Sequence, residues 1–409
     1  MKKTADKKSP LTIEQLKAAK LPLIIFGAGP VGELLLHACR SFNLEVAGFC
    51  DNNIHKKGRV INGLPVMYAP ELPDQFPDAV FLIGVADIQD IVKQLSRMGY
   101  TQWTDCSILK HFDINNLPLS ISPDAAEFVL SACLLCHENY LTPEKLFIRS
   151  VDVIITERCS MHCRDCSNLM QYYKHPRDCD VEQVISSIDV LCRYVDEMNE
   201  FRIIGGEPFM HPQLHLITGH LVAEPKVKRV VINTNATLLP RPDRLSDLKY
   251  KKVLLMITDY GELSRNLSKL IALAEENGIA YYVKKAHGWT DCSKIMRHDR
   301  TPEEQQKVFS QCCAKNLITL SDGRLFRCPF IANSLRLHAI PERSSDFLDL
   351  HLAATNGIAV SEMKKILRDF VSNTKYFEGC DYCNGRFYDD PEIPPAIQIK
   401  QPLEYHRYK

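Results

Sequence analysis

Val151-Asp-Val-Ile-Ile-Thr156-Glu-Arg-Cys159-Ser-Met-His-Cys163-Arg-Asp-Cys166 runs from an apolar stretch straight into three cysteines. Residues 151–156 are short, mostly apolar and rich in β-branched side chains, which reads as a buried strand. The cysteines follow on one loop at spacing C-x3-C-x2-C, so their thiolates can converge on a single soft metal centre. Three is the informative number. A closed structural site takes four ligands, whereas a centre that binds something further keeps a position open, as zinc sites illustrate.

Working outward, the α/β rhythm continues on the C-terminal side. Residues 201–204, 229–233, 253–258 and 279–283 read as strands, with helices over 181–198 and 263–277. Such repetition suits a barrel or partial barrel, whose chemistry sits at the C-terminal strand ends. Two further motifs stand at those ends. Gly205-Gly206-Glu207-Pro208 follows the second strand, and its glycines permit close backbone approach to a ligand. Asn233-Thr234-Asn235 follows the third.

The cysteine spacing, its place after the first barrel strand, and the Gly-Gly-Glu-Pro run together resemble the radical S-adenosylmethionine (SAM) superfamily. That resemblance implies a [4Fe–4S] cluster on Cys159, Cys163 and Cys166 whose free iron chelates the amino and carboxylate groups of SAM. Reduction then releases a 5′-deoxyadenosyl radical that takes a hydrogen atom from substrate, radical work that belongs to the cofactor while the protein positions it. It also implies that Gly205, Gly206, Glu207 and Pro208 meet the methionine end of SAM, and that Asn233, Thr234 and Asn235 make polar contacts to it. The residue before the third cysteine, often aromatic in the superfamily, is Asp165 here, so the adenine contact must differ. The competing reading is a zinc site completed by His162 or His137.

Beyond residue 300 the pattern breaks into short elements carrying Cys312, Cys313, Cys328, Cys380 and Cys383. Ser321-Asp-Gly-Arg324 reads as a hairpin turn between strands at 317–320 and 325–328, which brings flanking cysteines together. The arrangement resembles the shortened "twitch" form of the SPASM extension. That implies one auxiliary [4Fe–4S] cluster on Cys313, Cys328, Cys380 and Cys383, the spacing favouring Cys313 over Cys312. A zinc-ribbon-like site is the alternative. Cys133 and Cys136 fall in an apolar helical pattern over 125–140 and read as packing, like Cys39, Cys50, Cys106, Cys179 and Cys192.

At the other end, a strand at 21–26 leads through Gly27-Ala-Gly29-Pro-Val-Gly32 into a helix, and Asp51 closes the next strand. This is the context of a dinucleotide fingerprint, a tight turn with a helix N-terminus facing a phosphate. The surrounding sequence resembles the Rossmann-type first domain of bacterial sugar acyltransferases, which implies nucleotide-sugar binding; NAD, or no ligand, are the alternatives.

Composition is consistent with an ordinary globular chain: 409 residues, 45% apolar, 24% charged, fifty basic against fifty acidic. That balance offers no field for nucleic acid, and no apolar run nears the ~20 residues of a membrane span. The lysine-rich start has no apolar stretch behind it and reads as a solvated, mobile end, so a cytoplasmic protein is expected. Sixteen cysteines in a reducing compartment point to metal or redox chemistry.

The expected fold class is α/β. It comprises a Rossmann-like parallel sheet over 20–115, a linker and bridging helix over 116–145, a partial (β/α)6 TIM-type barrel over 146–300, and a twitch/SPASM-like extension over 301–409. The expected activity is hydrogen abstraction from a carbohydrate, carried on a nucleotide, giving oxidation or epimerisation in cell-surface sugar biosynthesis, with flavodoxin or ferredoxin as electron donor. Tyr260, Trp289, Asp291 and Cys292 lie on predicted strand-end loops and are the substrate-facing candidates, Cys292 as a thiol hydrogen donor. A peptide-modifying maturase and a non-catalytic zinc or iron–sulfur module are the alternatives.

Overall fold

The computed structural model describes residues 10–110, 112–114, 117, 121–372, 374–387 and 390–409. The lysine-rich start at 1–9 and the larger part of the Asn/Pro/Ser stretch at 115–123 lie outside the described residues. The chain divides into two compact units, Met1–Lys145 and Leu146–Lys409.

The first unit is built on β1 (Leu23–Phe26), β2 (Val46–Asp51), β3 (Val60–Ile61), β4 (Leu64–Tyr68), β5 (Val80–Ile83) and β6 (Gln102–Thr104). Among the described residues their order is β3-β4-β2-β1-β5-β6, all parallel except the β3–β4 pair. The chain therefore reverses its direction of travel across the sheet between β1 and β5. β1 and β5 are buried at every position, which is why their sequences are unbroken apolar runs. Gly27 has φ +109°, and a Cβ on Gly32 would stand 2.0 Å from the Gly27 carbonyl oxygen. Glycine at both positions lets the helix Pro30–Ser41 press onto the end of β1. The helix Pro123–Leu141, capped by Ser122, buries Leu130 and Cys133 in this unit's core.

The second unit begins with five parallel strands: β7 (Phe147–Thr156), β8 (Glu197–Gly205), β9 (Val227–Thr234), β10 (Val253–Asp259) and β11 (Tyr281–Lys285). The short β12 (Trp289–Thr290) follows, then β13 (Ile318–Ser321), β14 (Arg324–Phe326), β15 (Phe347–Asp349) and β16 (Glu392–Ile393). Among the described residues the main sheet runs β11-β10-β9-β8-β7-β13-β14-β15, with β13 parallel to β7 and β14 and β15 antiparallel. It is an open sheet, its edge strands β11 and β15 unpaired with each other, and β12 pairs separately with β16. The expected α/β class with parallel strands is present.

Several expected boundaries shift for physical reasons. The helix predicted to reach residue 198 ends at Tyr194, and Met198 belongs to β8, fully buried opposite Ile148. Charges at Glu197 and Glu200 disguise that strand in the sequence. The helix predicted from 263 begins at Leu267, because the Ser264 hydroxyl donates to the Asn235 carbonyl and holds the preceding turn to the end of β9. The β13–β14 hairpin turns on Asp322 (φ 50°) and Gly323 (φ 75°), the pair of left-handed residues that a tight two-residue turn demands. Among the described residues no helix is long and apolar enough to cross a membrane.

Candidate functional site

The C-terminal ends of β7–β10 open on a cavity of about 370 Å³. Cys159, Cys163 and Cys166 line it from the loop after β7, Gly205 and Gly206 from the end of β8, and Asn233, Thr234 and Asn235 from the end of β9. Tyr260, just beyond β10, and Trp289 of β12 close one side with their rings edge to face, 5.9 Å between centroids. Sequence motifs far apart in the chain thus meet at one place. Burial pushes the Tyr260 hydroxyl well above its ordinary range, so it stays protonated and can donate.

The glycines are there because two chains approach each other. A Cβ on Gly205 (φ +148°) would lie 2.1 Å from the Thr156 carbonyl oxygen, and one on Gly206 would lie 2.1 Å from that of Arg158. In their absence the Gly206 and Glu207 amides donate to those carbonyls at 2.9 and 2.8 Å and fasten the cysteine loop to the end of β8. Glu207 and Pro208 are not on the cavity wall. Glu207 is fully buried and accepts from the amides of Phe209 (3.2 Å) and Asn235 (2.9 Å), joining the ends of β8 and β9; burial lifts its carboxyl to about 7. Asn233 is on the cavity wall, and its side-chain N–H2 is buried with no partner among the described residues. Asp165, the departure noted above, is turned away from the cavity and pairs with Arg164 at 2.8 Å.

The donor set discriminates between a mononuclear ion and a cluster. Two sulfurs on one tetrahedral zinc stand about 3.8 Å apart, given Zn–S near 2.3 Å. Among the described residues, Cys106, Cys133 and His137 are the one group of three such side chains whose ligand atoms all lie within 4.8 Å of one another. Cys159, Cys163 and Cys166 are spread more widely, as ligands to different irons of one cluster are. Burial pushes all three thiols up, Cys163 to about 11, so without a positive charge beside them they stay protonated. His137, weighed above as a zinc ligand, sits instead in the first unit with both ring nitrogens engaged. Nδ1 accepts from the Cys106 amide (3.0 Å) and Nε2 donates to the Val85 carbonyl (2.8 Å).

Three wall residues escaped sequence reasoning. Asp152 and Arg202 are register partners on β7 and β8, bonded at 2.5 Å and both on the cavity wall. Their signal was present, a charge at a position facing the same way as apolar neighbours in each strand. Arg386 carried no signal at all. It lines this cavity and also a second one, and its Nε is buried without a partner among the described residues.

That second cavity is lined by Cys312, Cys328, Cys380 and Cys383 together with Arg327 and Arg386. Cys313, favoured by spacing, is exposed and absent from its wall, while its amide donates to the Arg386 carbonyl. Cys312 ends the helix Pro302–Gln311, which turns its side chain inward and leaves the next residue outside. Arg300 donates to the carbonyls of Cys380 and Cys383, both at 2.9 Å, and fixes the C-x2-C turn. Asp291 and Cys292 line neither cavity. Asp291 pairs with Lys294 at 2.7 Å, and Cys292 is buried with its carbonyl facing the Cys383 sulfur.

In the first unit, Gly27 and Gly29 form the turn between β1 and its helix, Gly29 standing at the helix N-cap and Gly32 in the first helical turn. The Asp51 carboxylate accepts from the Ala28 amide at 3.0 Å and pairs with Lys56 at 2.7 Å. The aspartate thus braces the glycine turn from the neighbouring strand.

Residues 153–272, spanning β7 to the helix after β10, match the family model described as the radical SAM superfamily. The chain carries a radical SAM domain. Enzymes of this superfamily use a [4Fe–4S] cluster and SAM. Two curated relatives, the GTP 3′,8-cyclases of Stenotrophomonas maltophilia strains R551-3 and K279a, are each 32% identical over 88 residues. That is 21% of this chain and 26% of either relative, so the chain spans about a quarter of the length of the curated relatives it matches. Among solved structures, BtrN in complex with AdoMet and 2-DOIA is similar at 14% identity and TM-score 0.36 over 58% of this chain and 93% of that one. Streptococcus suis SuiB bound to S-adenosylmethionine is similar at 15% identity and TM-score 0.30, over 58% and 54%. Similarity at that level does not bear on substrate. The three cysteines, the two glycines and the asparagines of the cavity all fall inside the matched radical SAM segment.

Proposed function

We propose that this chain is a radical SAM oxidoreductase acting on a sugar-like alcohol, with one SAM-binding cluster on Cys159, Cys163 and Cys166 and one auxiliary cluster on Cys312, Cys328, Cys380 and Cys383. The observation that carries the reading is the shared wall, Arg386 lining both cysteine cavities. A substrate in the first cavity then lies one side chain from an electron acceptor in the second. When bound, the first cluster with SAM supplies a carbon-centred radical able to remove a hydrogen atom.

The chain's own residues supply position and charge. Gly205, Gly206 and the unpartnered Asn233 amide offer polar backbone and side-chain groups for the amino-acid end and ribose of SAM. Tyr260 and Trp289 form an aromatic side with one hydroxyl donor. Asp152, held by Arg202, is the carboxylate on the cavity wall and the group best placed to accept a hydroxyl proton as an alcohol becomes a carbonyl. Cys292, buried and away from the cavity wall, does not favour hydrogen return, so oxidation is preferred over epimerisation.

The first unit we read as a Rossmann-like nucleotide-sugar domain. Its parallel strands reverse at β1/β5, beside the glycine turn, where such sheets bind ligands. The external reductant would be a flavodoxin or ferredoxin.

The test is anaerobic reconstitution of the full chain, metal counting, and SAM cleavage after reduction, followed by mass analysis of candidate nucleotide sugars. The reading expects about eight irons per chain, two four-iron clusters, with 5′-deoxyadenosine formed and a product lighter by two hydrogens. Stoichiometric zinc without SAM cleavage overturns it; a product of unchanged mass replaces oxidation by epimerisation.

A further inference from the structure

The segment at residues 396–399 lies antiparallel against the cysteine loop. The Arg164 amide donates to the Ile397 carbonyl at 2.7 Å, and the Ile399 amide donates to the His162 carbonyl at 2.8 Å. Cys163 and Gln398 face each other as bridge partners between these two bonds. The Gln398 amide nitrogen donates one N–H to the Cys163 sulfur (3.3 Å) and the other to the Ala396 carbonyl (2.7 Å). Its oxygen accepts from the His162 amide at 2.9 Å. Every bonding capacity that matters is thus used, and a flipped amide would set oxygen against sulfur and against a carbonyl.

The same stretch of chain is anchored on both sides. Upstream, Ile393 of β16 pairs with Trp289 of the cavity wall. Downstream, the Leu403 amide donates to the Gln171 carbonyl, and the Tyr405 ring meets Tyr172 edge to face at 5.5 Å. Ala396, buried and left-handed at φ 57°, marks the bend that delivers Gln398 to the loop.

We propose that Gln398 is a positioning residue that sets the reduction potential of the SAM-binding cluster through its N–H to the Cys163 sulfur, an inference that rests on the reading of Cys159, Cys163 and Cys166 as cluster ligands. Reduction adds negative charge to the cluster and its sulfurs. A donor held against one of those sulfurs stabilises the reduced form more than the oxidised form and raises the potential. Loss of the donor shifts the one-electron equilibrium by roughly tenfold, equivalent to 59 mV for a one-electron couple.

The experiment is an EPR-monitored potentiometric titration of the reconstituted full chain, following the signal that changes when SAM is added. Gln398→Ala should titrate about 59 mV lower than wild type, the tenfold shift for one electron. Gln398→Glu keeps the shape and the bond from His162 but sets a carboxylate oxygen against sulfur, so its midpoint should fall further. Gln401→Ala, an exposed change in the same segment, should titrate with wild type. Wild-type midpoints in both Gln398 variants at full iron content overturn the proposal. A wild-type chain with full iron but no SAM-responsive signal overturns the cluster reading beneath it.

Discussion

Gly206→Ala is the sharpest single perturbation of this site. The added methyl would lie 2.1 Å from the Arg158 carbonyl oxygen, 2.5 Å from its carbon and 2.8 Å from the Cys159 Cβ. Ordinary contact needs more than 3 Å, so the cysteine loop must retreat from the end of β8 by about 1 Å. That retreat stretches the two bonds joining them, Gly206 to Thr156 and Glu207 to Arg158. Overpacking costs about 1–3 kcal/mol and two weakened backbone bonds about 1 kcal/mol each, so about 3–5 kcal/mol of stability should be lost. Gly219→Ala is the control. Gly219 is in the helix Leu214–Ala223 with nothing within 4 Å of a new Cβ, and alanine there should be neutral or stabilising by up to about 1 kcal/mol. Urea unfolding of the metal-free chain measures both, and iron counting after reconstitution shows whether Cys159 still reaches its place. A Gly206→Ala protein with the wild-type midpoint and full iron would refute the close-approach argument.

Other expectations follow from the same geometry. Cys312→Ser should lose about half of the reconstituted iron, one of two four-iron clusters, whereas Cys313→Ser should keep nearly all of it; the opposite result would return the ligand to Cys313. Asn233→Ala removes the unpartnered donor of the cavity and should weaken SAM binding by about 1 kcal/mol, roughly fivefold in dissociation constant by calorimetry, without changing iron content. Asp346 is buried, both its oxygens accept from the Gly379 amide, and burial lifts its carboxyl from 3.8 to about 6. Its folded form therefore holds a proton that the unfolded chain releases, and its contribution to stability falls as pH rises from about 4 through 6. Asp346→Asn abolishes that slope, and its stability relative to wild type should rise by about 1 kcal/mol or more between pH 5 and pH 8 in urea unfolding of the metal-free chain; equal slopes would refute it.

Much of this protein is legible in the sequence because it is local. Cys159, Cys163 and Cys166 lie on one loop, and the apolar run before them declares a buried strand regardless of what packs on it. Gly205 and Gly206 announce a close approach by their lack of side chains. The Asp-Gly pair at 322–323 dictates its own turn, and the β1 and β5 runs announce strands covered on both faces. These features follow from backbone sterics and short-range periodicity, which need no knowledge of distant residues. What the tertiary structure alone decided is which distant groups meet. The choice of Cys312 over Cys313 on the second cavity wall depends on the direction in which one helix ends. Glu207, read as a ligand contact, is drawn inward by two backbone amides that the motif does not reveal. Asp152 and Arg202 matter because two strands pair in one register, and a charge inside an apolar strand is silent until its partner is known. Arg386 and Gln398 stand more than 200 residues from the cysteine loop in the chain, yet one shares its cavity wall and the other bonds to Cys163. No periodicity or spacing records such a contact, because it is set by the free energy of the whole packed unit rather than by any segment of it.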